Sequence, residues 1–101
     1  MVQKIIVYWR DIPAQVIVKA GRRTARRQLP ERFEQAIDRA AMRAKLTGTD
    51  AYLEQWRRGD PVAVEGDPET VAENAAATLE TDYDVERVRA LVDALGFEPE
   101  R

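Results

Sequence analysis

The chain has 101 residues, a formal net charge of −2, and neither cysteine, histidine nor serine. This length predicts one domain over residues 1–101, with a core that needs no disulfide or structural metal. The missing side chains are those that most often act as nucleophiles or as general acids and bases near neutral pH. The composition therefore indicates a protein that is not an enzyme, with no catalytic residue, no metal site and no cofactor.

Charge is distributed unevenly along the chain. Residues 1–59 contain 13 Arg or Lys and 6 Asp or Glu, whereas residues 60–101 contain 3 and 12. Such a split can steer a partner or hold the two halves of a fold together. No stretch approaches the length of a membrane span, and the N-terminus does not resemble a signal peptide. We therefore expect a cytoplasmic protein that does not bind membranes.

Two strands are predicted near the start of the chain, at residues 3–10 and 15–20, joined as an antiparallel hairpin. Alternation predicts that one set of side chains in the first strand faces the helices: Ile5, Val7 and Trp9. In the second strand the side chains that share a face are Val16, Val18 and Ala20. We expect the remaining face of the hairpin, with Tyr8 and Ile17, to stay open.

Helices are predicted in most of the remaining chain. The longest covers residues 30–46, because its apolar side chains recur at helical spacing. A shorter helix, AYLEQWRR, is expected at residues 51–58. The last two helices are expected to begin after Asp67 and Asp84, which are typical N-cap residues.

A short apolar run, VAVE at residues 62–65, is a candidate third strand. The predicted fold is α+β: a small antiparallel sheet, made of the N-terminal hairpin plus a short third strand, packed against about four helices.

The densest charge feature is the segment GRRTARRQL at residues 21–29, which contains Arg22, Arg23, Arg26 and Arg27. Guanidinium groups bind carboxylates and phosphates bidentately, so the segment is a candidate partner-binding site. In an extended conformation Arg22 and Arg26 project to one side and Arg23 and Arg27 to the other. The alternative is that these arginines pair with the acidic C-terminal helices or face solvent.

Two further residues are candidates for the same binding surface. Tyr8 and Arg10 fall on the sheet face that we expect to be open, beside Ile17. A large aromatic side chain on an exposed face is typical of a binding patch.

Three blocks of sequence resemble the bacterial virulence factor domain: IIVYWRDIPAQVIV, LPERFEQAIDRAAMRA and TGTDAYLEQWRRG. The resemblance covers about residues 3–60 and implies the small stand-alone form of a domain that also occurs in larger conserved virulence factor proteins. It implies no reaction and no catalytic residues. It does imply an association with proteins of corrinoid-dependent methyl transfer from methyltetrahydrofolate, such as split methionine synthases.

Three functions are open at this point. The first is a non-catalytic accessory domain that binds a protein partner; the resemblance implies corrinoid or methyltransferase proteins of methionine biosynthesis. The second is a nucleic-acid-binding regulatory module, which a sequence pI near 5.2 disfavours, as does the lack of aromatic residues among the arginines. The third is a small ligand-binding or enzyme subunit, which the missing His, Ser and Cys disfavour.

Overall fold

The computed structural model describes residues 2–46, 48 and 50–98, and these form an antiparallel sheet of five strands with four helices. In chain order the elements are β1 (Val2–Trp9), β2 (Ile12–Ala20), β3 (Arg23–Gln28), α1 (Glu31–Arg43), α2 (Asp50–Glu54), β4 (Trp56–Arg58), β5 (Val62–Val64), α3 (Pro68–Asp82) and α4 (Val85–Asp93). The strand order is β3-β2-β1-β4, and β5 pairs with the beginning of β1. The predicted α+β class is confirmed.

The hydrophobic core lies between one face of the sheet and the helices. From β2 and β3 it takes Val16, Val18 and Ala25, and from α3 it takes Ala72, Ala76 and Leu79. Helices α1 and α4 add Phe33, Ile37, Ala40, Leu91 and Val92. Each large aliphatic or aromatic side chain buried in this way stabilises the fold by about 1.5–3 kcal/mol. The predicted inward face of β2 is thus correct at Val16 and Val18.

The predicted orientation of β1 is wrong over most of the strand. Ile6 packs against the core and lies beside α3, whereas Ile5 pairs with Ile17 outside the main apolar cluster. Cross-strand partners share a face, so Ile5 and Ile17 lie on the outer face of the sheet, opposite α3. The prediction that the face with Ile17 stays open is wrong at this position, since Ile5 and Ile17 are only 5% and 1% exposed. Three consecutive apolar residues, Ile5 to Val7, give no alternation from which the inward side could be read.

The orientation of Trp9 was nevertheless predicted correctly, since its side chain is 0% exposed in the core. The register of β1 and β2 explains why Ile6 and Trp9 can both face the core. Val7 pairs with Gln15 and Tyr8 pairs with Pro13, so Ala14 is an extra residue in β2. Such a β-bulge increases the local twist, which turns Trp9 inward although it is three positions after Ile6.

The helices agree with the predictions except around residue 56. Helix α1 spans most of the predicted segment, and the cap residues Asp67 and Asp84 accept hydrogen bonds from Thr70 N and Arg87 N at 3.2 and 2.8 Å. The predicted helix 51–58 is wrong in its second half, because α2 ends at Glu54 and β4 begins at Trp56. Pairing with the end of β1 outweighs the helical propensity of this segment. The third strand predicted at 62–65 is present as β5.

The segment after α4 returns to the turn between β1 and β2. Asp11 N donates a hydrogen bond to Gly96 O at 2.8 Å. Gly96 has a φ of 96°, and a Cβ atom built there would lie 2.9 Å from Cζ3 of Trp9. Glycine is therefore required here both for its backbone conformation and for the close approach of the indole ring.

We expect Gly96→Ala to lower the free energy of unfolding by about 2 kcal/mol or more, because it adds backbone strain to overpacking against Trp9. Gly21→Ala is the matched control: its φ is also positive, at 62°, but no atom lies within 4 Å of a Cβ atom there. That variant should lose only about 1 kcal/mol. Urea unfolding of both proteins measures the difference, and equal losses would contradict close packing of the tail against Trp9.

Candidate protein-interaction site

Charge is separated between the layers of the fold. The strands contain no Asp or Glu, but carry Lys4, Lys19, Arg23, Arg26, Arg27, Arg57 and Arg58. Helix α3, which packs against β2 and β3, contains four carboxylates and no Arg or Lys. The difference in charge between the two halves of the sequence thus becomes a difference in charge between the sheet and the helix behind it.

The predicted arginine segment forms the edge of the sheet. We call the strand β3 together with Arg22 the basic edge. Its ladder to β2 runs without a bulge from the pair Ala20–Arg23 to the pair Gln15–Gln28. Among the described strands, none pairs with the other side of β3. Apart from the spacing of the arginines, no pattern in the sequence predicts this strand, because Ala25 is its one residue that is buried in the core.

The arginines of the basic edge divide between the two faces of the sheet. Arg23 and Arg27 lie opposite Ala20 and Val16 on the side that faces the helices, as the alternation predicts. Arg26 lies opposite Ile17 on the outer face. Arg22 precedes the strand, in the turn that follows β2.

Among the described residues, only one of these arginines pairs with a carboxylate. Arg23 Nη2 lies 3.7 Å from Oδ1 of Asp67, the N-cap residue of α3, and both side chains are at least half exposed. Exposed pairs of this kind contribute about 0–1 kcal/mol. Arg22, Arg26 and Arg27 make no hydrogen bond or ion pair with the described part of the chain. Most of the positive charge on this edge is therefore available to a partner.

Tyr8 and Arg10 do not join the basic edge. Tyr8 lies on the far side of β2 from β3, and its ring is stacked under Arg57, whose Cζ is 4.4 Å from the ring centroid. Arg10 packs against Trp9 and Phe97 and donates a hydrogen bond from Nη1 to Leu95 O at 2.7 Å. Arg10 thus holds the C-terminal segment, whereas Tyr8 packs against Arg57 of β4. The sequence could not show either placement, because both depend on the strand order.

A charged network anchors this C-terminal segment. Asp11, only 9% exposed, accepts hydrogen bonds from Glu98 N at 2.8 Å and from Arg57 Nη2 at 3.1 Å. The carboxylate of Glu98 in turn lies 2.7 Å from Nη2 of Arg87, and this hydrogen bond raises the pKa of Arg87. Arg87 also lies over the ring of Tyr83. These contacts stabilise the fold and leave few free groups for a partner.

Asp11→Ala should lower the free energy of unfolding by about 1–3 kcal/mol, because it leaves the Glu98 amide and Arg57 without their acceptor. Asp11→Asn retains one acceptor oxygen and should lose less. Thermal unfolding compares the two variants. A wild-type melting temperature for Asp11→Ala would show that the network does not hold the C-terminal segment.

The network also predicts an alkaline limit to stability. Burial raises the pKa of Tyr83 above its usual value of 10.0, with Arg87 acting in the opposite direction. The folded state therefore retains a proton that the unfolded state releases, so this contribution is complete below pH 10 and is lost as the pH rises further. Tyr83→Phe should match the wild type at neutral pH and lose less stability above pH 10, measured by chemical denaturation. If the free energy of unfolding of the two proteins fell equally above pH 10, the prediction would be contradicted.

Two cationic features were missed by the sequence analysis. The first is the outer face of the sheet, where Lys19 and Arg58 share the face of Arg26, although strand alternation already placed Lys19 with Ile17. The second is a groove of about 280 Å³ between α1 and α4. It is lined by Arg32, Arg39, Arg43 and Arg89. Arg32 and Arg43 are bonded within the fold, to Tyr83 O and to Asp93.

Across residues 2–46, 48 and 50–98, no group of three or more carboxylates is placed to hold a metal ion. No helix in this part of the chain is long and apolar enough to cross a membrane.

Fold and surface together define a small α+β domain with a cationic, open edge strand. A family model described as "Virulence factor" matches residues 7–92, which is most of the chain. The chain belongs to this virulence factor family, and the resemblance predicted from its three sequence blocks is confirmed. No curated protein and no solved structure matches the chain.

Proposed function

We propose that this chain is a non-catalytic accessory domain that binds an acidic surface of a protein partner through the basic edge. One observation carries the proposal: an uninterrupted edge strand presents Arg26 and Arg27, which pair with no carboxylate of the described residues, in a sheet whose strands contain no Asp or Glu. The strand already holds the backbone of these arginines in place, so little backbone freedom is lost when carboxylates bind their guanidinium groups.

An acidic protein suits this surface better than a nucleic acid does. Helix α3 lies directly behind β3 and carries four carboxylates, which repel a phosphate backbone that extends beyond the edge. The basic edge also contains no aromatic side chain on which a base can stack. A compact acidic patch can contact the arginines and avoid α3.

The family resemblance suggests which partners to test. It associates the domain with corrinoid-dependent methyl transfer from methyltetrahydrofolate, so we propose the corrinoid protein or the methyltransferase of a split methionine synthase. In this role the chain supplies a binding surface, and the chemistry belongs to the partner.

The test compares two double variants of the basic edge, Arg22→Gln with Arg26→Gln and Arg23→Gln with Arg27→Gln. Binding to each purified candidate partner is measured by calorimetry. If the arginines are buried on binding, at least one variant should lose about 2–5 kcal/mol of binding free energy. Stability should change by no more than about 1 kcal/mol, because the side chains are exposed.

The matched control is Arg39→Gln with Arg89→Gln, on the groove between α1 and α4. It removes the same charge from exposed arginines that make no hydrogen bond or ion pair with the described residues. Its affinity should remain close to that of the wild type. Equal losses in all three variants would show a non-specific charge effect, and unchanged binding in both edge variants would refute the basic edge as the site.

A further inference from the structure

We propose that the basic edge binds its partner by strand addition: an extended acidic segment of the partner pairs with β3 and becomes a sixth strand of the sheet. The inference rests on the proposed function and specifies the conformation of the ligand and the pattern of its charges. Strand addition uses main-chain hydrogen bonds for affinity and alternate side chains for selectivity.

Main-chain hydrogen bonds show which groups of β3 are open. Leu29 N donates to Ala14 O of β2 at 3.0 Å, so the main chain of Leu29 points toward β2. Peptide groups alternate in direction along a strand. The residues whose N–H and C=O groups point away from β2 are therefore Thr24, Arg26 and Gln28.

The other side of the sheet gives the same alternation independently. Gly59 N donates to Ile6 O at 2.8 Å, so Ile6 points away from β2, and its neighbour Ile5 must exchange bonds with Ile17. In β2, Val16 and Val18 then point toward β3, where their partners are Arg27 and Ala25. Both derivations leave the same three residues of β3 with outward main-chain groups.

The two edges of the sheet differ in their ability to accept a strand. The edge opposite β3 is made of β4 and β5, each three residues long, separated by a loop that contains Pro61. Short strands and proline are devices that prevent edge pairing. By contrast, β3 is six residues long and has neither a proline nor a bulge in its ladder. It is therefore the edge that a partner strand can extend.

The charges of β3 determine which kind of strand can pair with it. A second copy of β3 would bring arginines opposite arginines, which is unfavourable, so the basic edge disfavours pairing between copies of this chain. A strand with carboxylates places opposite charges beside Arg26, on an outer face that also carries Lys19 and Arg58. On the helix-facing side, Arg23 is already paired with Asp67 and α3 is acidic. The expected ligand is thus acidic at alternate positions and neutral between them.

The experiment uses the full chain labelled with 15N and a short synthetic peptide with glutamate at alternate positions and threonine or valine between them. Amide hydrogen exchange is measured with and without the peptide. The amides of Thr24, Arg26 and Gln28 should slow by about tenfold or more, because they gain acceptors. The amides of Arg23, Ala25 and Arg27 already bind β2 and should change little. Arg26→Gln should weaken peptide binding.

Two control peptides separate charge from main-chain pairing. In one, glutamine replaces glutamate, and its binding should be much weaker. The other keeps the glutamates but is N-methylated at the amides that would face β3, which removes those donors and places methyl groups between the two strands. Because the strands can then not approach, this peptide should fail to protect the edge amides.

Two outcomes overturn strand addition. If the acidic and N-methylated peptides bind equally, or if binding leaves the edge amides unprotected, the recognition is electrostatic without an added strand. If the acidic peptide does not bind at all, strand addition is also rejected. In each case the proposed function still stands if binding of the purified partner depends on the arginines of the basic edge. If binding of the purified partner does not depend on them, strand addition and the proposed function are both rejected.

Discussion

The burial of Trp9 is the interaction on which the arrangement of this protein depends. Its ring is 0% exposed, its Nε1 donates a hydrogen bond to Tyr52 O at 3.0 Å, and its ring lies 5.7 Å from that of Tyr52. Gly96 allows the C-terminal segment to cross close to the same indole. One side chain thus connects the central strand, the short helix α2 and the end of the chain. The bulge at Ala14 permits this, because it adjusts the twist where β1 ends.

This anchor also explains why the two groups of candidate residues have different roles. Arg10, Tyr8 and Asp11 surround the anchored end of β1, where their side chains bond to β4 and to the C-terminal segment. The arginines of β3 lie two strands away, where Asp67 is the one carboxylate of the described residues that pairs with them. The fold therefore uses one set of cationic groups for cohesion and leaves the other set exposed.

Much of the fold could be predicted from the sequence because its signals are local. The caps Asp67 and Asp84, the periodicity of α1 and the inward face of β2 each depend on a few neighbouring residues. The strand β4 could not be predicted, because the sequence around Trp56 favours a helix and only pairing with β1 makes it extended. The inward position of Trp9 depended on a bulge in a different strand, which no pattern within β1 records.

The candidate site was predictable only in part. The arginines stand out in the sequence, but β3 has no alternation of apolar residues, since an edge strand over one helix needs little more than Ala25 to pack. The prediction that Tyr8 and the arginines share one site assumed a sheet of the N-terminal hairpin and one short further strand, in which the arginine segment was not a strand. The observed order β3-β2-β1-β4 separates them.

The placement of acidic α3 behind basic β3 gives the protein a permanent electric dipole across its thickness. A dipole experiences a torque in the field of an approaching charged molecule, so an acidic partner rotates the protein before contact and meets the sheet edge first. An acidic molecule that approaches from the helix side is repelled. The packing of α3 behind the sheet therefore also orients the protein relative to an approaching charged molecule, and this effect weakens as salt screens the charges.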